Sequence, residues 1–170
     1  MYNFFEVNFF FVMENPELAD ADLSVMPGHL IRRLQQIAVA IFLEDTAQFG
    51  VTPVQYAALR WLSSSPGIDQ RTLAGKVGLD TSTLGGVVDR LETRGLISRQ
   101  PSPTDRRVKQ LMLTDAGVAL LRDMAPSLQK SQQRILAPLS AKKQGQFMNL
   151  LLELVDKNND LSRAPIPSDD

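Results

Sequence analysis

The stretch Gln70–Leu91, QRTLAGKVGLDTSTLGGVVDRL, restricts the fold more than any other part of the chain. Asp69 precedes a short apolar-periodic run to Val77 and predicts its N-cap. Gly78 breaks that run. Asp80 caps a second one, in which Leu84, Val87, Val88 and Leu91 fall on one helical face. Small Ala74 lets two helices cross closely, and Gly78 permits the tight turn between them. That spacing predicts a helix-turn-helix. The second helix closes at Arg94-Gly95-Leu96, where glycine followed by an apolar residue is a C-cap signature. Leu96–Arg99 and Lys109–Leu113 then read as short strands flanking a loop that carries Pro101, Pro103 and a polar tip.

Longer helical patterns surround this unit. From Pro27 to Gln48, apolar residues recur at Leu30, Ile31, Leu34, Ile37, Ala38, Ile41 and Phe42, with Gly50 as a stop. Thr52-Pro53 opens a second helix through Leu62, and Ser63–Gly67 has the composition of a loop. Thr114 caps a further helix, in which Pro126 predicts a kink or break and Pro138 an end. Ser140 caps a last helix to about Asn158. Its Phe147, Met148, Leu150, Leu151, Leu152, Leu154 and Val155 cover most of the circumference. In a chain this small, a helix apolar on two sides points to a second subunit. Residues 159–170 are polar and hold two prolines, which predicts a flexible tail.

The N-terminal 26 residues stand apart. Five of the chain's 8 Phe lie in MYNFFEVNFFFVM, a run too short to span a bilayer and lacking the basic start of a signal peptide. Either Met13 is the natural start and residues 1–12 are an artefact, or the segment packs on a partner surface. A cytoplasmic protein without membrane contact is expected.

Composition removes several chemistries. With no Cys and 1 His, disulfides, Cys/His metal clusters and Cys–His catalysis are excluded. There is no nucleophile-elbow, phosphate-loop or paired-carboxylate signature, so no catalytic residue is assigned and no enzyme, metal or cofactor is expected. Net charge is −1, but residues 69–114 hold 8 Lys/Arg against 5 Asp/Glu, while residues 1–68 hold 3 against 7. A basic middle suits a polyanion. In a helix-turn-helix the second helix places its N-terminal residues in the major groove, here Thr81, Ser82 and Thr83. Gly85 and Gly86 then read as permitting close approach to DNA, or else close packing on another helix. Arg90 joins this set. At the hairpin tip, Arg106 and Arg107 suit a narrow minor groove, with Asp105 able to hold an arginine in a bidentate pair.

The segment LDTSTLGGVVDRLETRGLISRQPSPTDRRVKQLMLTDAG resembles the recognition helix and wing of the MarR family of winged helix-turn-helix regulators. The family's Asp-x-Arg falls on Asp105 and Arg107, and its Leu-Thr-x-x-Gly on Leu113, Thr114 and Gly117. The resemblance covers roughly residues 27–158. It implies a mainly α fold with a small β-wing: residues 69–114 bind DNA, and 27–68 with 115–158 form an intertwined helical dimerisation region. It also implies a homodimeric repressor, less often an activator, released from double-stranded DNA by a small phenolic or aromatic acid inducer. Peroxide-sensing and zinc-sensing relatives depend on Cys or several metal ligands that this chain lacks.

Family pockets lie between the dimerisation helices and the winged domain, which directs attention to the first two helices. His29, Arg33 and Gln36 share a helical face, and Tyr56 and Trp61 supply aromatic walls, a set suited to an aromatic carboxylate. The alternative reading is a winged-helix protein–protein module without DNA binding.

Overall fold

The computed structural model describes residues 23–103, 108–162 and 165. Helix α1 spans Pro27–Asp45, α2 Pro53–Ser64, α3 Gln70–Val77 and α4 Thr81–Thr93; strands β1 (Ile97–Pro101) and β2 (Lys109–Leu113) precede α5 (Asp115–Leu136) and α6 (Ala141–Lys157). The chain divides into two compact units, residues 1–40 and 41–170. The described part of the first is a 3-10 turn at Leu23–Val25 and most of α1, on which Leu30, Ile31 and Ile37 are exposed.

In the second unit, local signals set the helix ends. Thr52 and Gln55 form a reciprocal capping box at α2: the Gln55 N–H donates to Thr52 Oγ1 at 3.2 Å and the Thr52 N–H to Gln55 Oε1 at 3.0 Å. Asp69 accepts from the N–H groups of Arg71 and Thr72 at the start of α3. Gly78 ends α3 at φ 76°, a left-handed conformation that costs a side-chain-bearing residue energy. Thr114 caps α5 by accepting from the Gly117 N–H at 3.1 Å.

β1 and β2 pair antiparallel from Ile97 opposite Leu113 to Pro101 opposite Lys109. A third edge, which the sequence pattern does not announce, joins them. The Gly67 N–H donates to Leu111 O and the Leu111 N–H to Ile68 O, with a bridge between Asp69 and Gln110. One core gathers Leu59 and Leu62 of α2, Leu73 of α3, Leu84 and Leu91 of α4, and Leu111 of β2. A smaller cluster joins Phe42, Val51 and Met124.

Helix α2 supplies Ala58, Leu59 and Leu62 to the same core as α3 and α4. Two short helices cannot enclose their own inner faces and need a third element beneath them. Of the two outcomes expected at Pro126, a kink or a break, the break does not occur: α5 runs without interruption from Asp115 to Leu136. Proline in a helix interior costs about 3 kcal/mol. Full burial of Met124, two residues before the exposed Pro126, opposes that cost. Among the described residues, no helix is long and apolar enough to cross a membrane, and no group of His, Asp or Glu is placed to hold a metal ion.

Candidate functional site

Burial fixes which way α4 faces. Leu84, Val87, Val88 and Leu91 are buried, so Thr81, Ser82 and Thr83 in the first turn are exposed, as is Arg90 further along. Asp80 organises that turn. Its carboxylate accepts from the Thr83 N–H at 2.8 Å, the Ser82 hydroxyl at 2.5 Å and the Thr83 hydroxyl at 2.6 Å. These bonds, the Ser82 hydroxyl foremost, hold the Asp80 carboxyl well below the usual carboxylate range.

The two glycines have different neighbours. A Cβ on Gly85 would meet Gln70 Nε2 at 3.2 Å, and that amide reaches across from α3 to donate to Thr81 O at 3.2 Å. Gly85 therefore lies beside the Gln70 amide of α3. A Cβ on Gly86 would meet only the Arg90 guanidinium, at 3.5 Å.

Strand β1 is tied to this helix through Arg99, which pairs with Asp89 at 2.5 Å and with Glu92. The base of the wing loop is closed by the Ser102 N–H donating to Val108 O at 2.9 Å. Asp105, Arg106 and Arg107 lie outside the described residues.

A cleft of about 450 Å³ opens between α2 and α5. Tyr56, Val118, Leu121 and Leu128 give it apolar walls, and Arg60, Arg122, Gln129 and Gln132 polar ones. The Tyr56 ring lies 6.0 Å from that of Phe42. Burial pushes the Tyr56 phenol above its ordinary value, against the pull of Arg60, so at neutral pH it is a protonated donor.

Residues 51–109 match the MarR family. The transcriptional regulator PcaV from Streptomyces coelicolor, solved in complex with its natural ligand, is 40% identical; the alignment covers 79% of this chain and 95% of PcaV with a TM-score of 0.71. The chain belongs to the MarR family. This MarR-family protein is a DNA-binding transcriptional regulator with a winged helix-turn-helix, not an enzyme. Its similarity extends to the transcriptional repressor CouR bound to a 23-mer DNA duplex, 31% identical, with 82% of this chain and 99% of CouR covered and a TM-score of 0.75. It is also similar to Bordetella bronchiseptica BpsR, whose DNA binding is regulated by 6-hydroxynicotinic acid; identity is 29%, coverage 79% and 96%, and the TM-score 0.75.

In this MarR-family chain the two expected aromatic walls, Tyr56 and Trp61, are not brought together. Tyr56 lines the cleft. Trp61 does not: its ring lies under the Lys76 ammonium, 4.6 Å away. Five residues along a helix is about 140° of rotation, so Tyr56 and Trp61 face different sides of α2. His29 is half-buried, and Arg33 and Gln36 are exposed, in the first unit. The cleft's own cations are Arg60 and Arg122, which the sequence reading missed. Arg60 was legible, because it stands four residues after Tyr56 and so shares its face. Arg122 was not, because only folding brings α5 beside α2.

Proposed function

We propose that the chain is a cytoplasmic homodimeric repressor that leaves a pseudo-palindromic operator when a small aromatic or phenolic acid enters the α2–α5 cleft. The observation that carries this reading is the pairing of apolar walls with Arg60, Arg122 and a protonated Tyr56 in one cleft. A carboxylate needs a cation, and a ring needs a wall with a few convergent polar groups. BpsR, regulated by an aromatic acid, supports the ligand class. Thr81, Ser82, Thr83 and Arg90 contact the major groove, and Arg106 and Arg107 the minor groove, with half-sites about 10 bp apart.

Magnitudes permit this mechanism. Moving the dimer from about 99% to about 1% competent requires roughly 5.5 kcal/mol of differential binding. Over two sites that is about 2.8 kcal/mol each, within reach of one hydrogen bond to a charged group plus ring contacts.

The test is calorimetry and operator release with a panel of hydroxybenzoates and pyridine carboxylates. Arg60→Ala and Arg122→Ala are expected to retain operator affinity and to raise the acid concentration for half-release at least tenfold. His29→Ala, Arg33→Ala and Gln36→Ala test the contribution of α1. Normal release in both cleft variants would place the effector elsewhere.

A further inference from the structure

Three exposed hydroxyls occupy the first turn of α4, and Asp80 has already fixed the polarity of two. Ser82 Oγ donates to Asp80 Oδ1 at 2.5 Å, and Thr83 Oγ1 donates to Asp80 Oδ2 at 2.6 Å. A hydroxyl has one proton and two acceptor lone pairs. Once its proton is held, only the lone pairs are left for another partner. The Asp80 carboxyl is depressed by these same bonds, so at neutral pH it stays ionised and has no proton to return. In the next turn, Gly86 carries no side chain that could read a base instead.

We propose that Asp80 is a positioning residue that makes Ser82 and Thr83 act as hydrogen-bond acceptors in the major groove, so that α4 distinguishes amino bases from keto bases. Adenine and cytosine present an amino donor in that groove, whereas guanine and thymine present a carbonyl acceptor. Each hydroxyl therefore selects A or C over G or T on the strand it meets, without choosing between A and C. An unconstrained serine could read either class. The same polarity disfavours a phosphate contact, because phosphate oxygens are themselves acceptors. This inference rests on the reading that α4 contacts the major groove.

The experiment is enrichment of a randomised 24-bp duplex pool by the full-length protein and by its Ser82→Ala and Asp80→Asn variants. The expected wild-type half-site contains a position that accepts A or C and rejects G and T by about threefold to tenfold, the worth of one hydrogen bond. Ser82→Ala should abolish that preference at its position. Asp80→Asn keeps its Oδ1 on the Thr83 N–H and the Ser82 hydroxyl but turns its Nδ2 donor to Thr83 Oγ1, which frees that hydroxyl's proton and should admit G or T at the position Thr83 meets. In the enriched duplex, replacing the contacted adenine by purine, which lacks the amino group, should weaken the wild type by the same factor and leave Ser82→Ala unaffected. A Ser82-dependent position that prefers G or T in the wild type overturns the polarity and leaves the groove contact standing. So does an amino-over-keto preference at the Thr83 position untouched by Asp80→Asn. Ser82→Ala lowering affinity equally for all duplexes, or no enrichment from the pool at all, overturns the groove contact as well.

Discussion

Gly117 and Asp45 are single residues with measurable consequences. A Cβ at Gly117 would lie 2.2 Å from the Leu96 carbonyl oxygen and 3.1 Å from Leu113 Cδ2. The Leu96 oxygen also accepts from the Thr114 N–H at 3.1 Å, so it is held in place. Alanine normally favours a helix over glycine by about 1 kcal/mol. Here the clash is with backbone, and overpacking costs roughly 1–3 kcal/mol or more. Gly117→Ala is therefore expected to lower the urea midpoint despite its better helix propensity, with an unchanged slope. Asp45 has a buried carboxylate, with Lys130 at 2.9 Å and Arg134 at 2.7 Å from Oδ1 and Oδ2 without a hydrogen-bond partner. The bond from Lys130, reinforced by Arg134, holds its carboxyl below the ordinary value despite burial. A depressed carboxyl stabilises the fold above its unfolded pKa, near 4, and that stability is lost as pH falls through the lower folded value. Thermal melts of wild type and Asp45→Asn should differ most near pH 7 and converge below about pH 4.

At the scale of the element, α5 carries an internal proline that is open to test. Pro126 removes a helix hydrogen bond and is exposed on the surface, so nothing in its packing requires it. Pro126→Ala is expected to raise stability by about 1–3 kcal/mol in urea denaturation. The caps at Asp69, Asp80 and Thr114 were legible in the sequence because each is a side chain answering backbone N–H groups within three residues. The recognition helix was legible for the same reason, its apolar stripe being local. Other features depend on partners far along the chain. The Ile68–Asp69 edge of the wing is too short to show a period. The continuity of α5 through Pro126 depends on contacts around Met124, Leu128 and Ser131. The Arg60–Arg122 pairing requires two helices separated by the whole winged unit. Pattern identifies what a segment does by itself, and these three are decided between segments.

For the whole molecule, the surface left by α6 demands a partner. Leu150, Leu152, Leu154 and Val155 are 55–62% exposed, and no residue of that helix is buried. Contiguous apolar surface on this scale is rare on monomers. Light scattering at micromolar concentration should give twice the 18.9 kDa chain mass, and the interface should exceed about 2,000 Å². A monomeric mass would remove the two-half-site arrangement. The contact at Gly117 has a mechanical meaning in such an assembly. The first turn of α5 sits against the Leu96 carbonyl with no clearance for one methyl group, and Thr114 Oγ1 is anchored to Gly95 O at 2.6 Å in the same corner. Leu121 and Arg122, which line the cleft, lie about one turn further along the same rod. A joint without play passes displacement on instead of absorbing it. Any tilt forced on α5 at the cleft must carry the corner where α4 ends, and with it the bearing of the whole recognition helix.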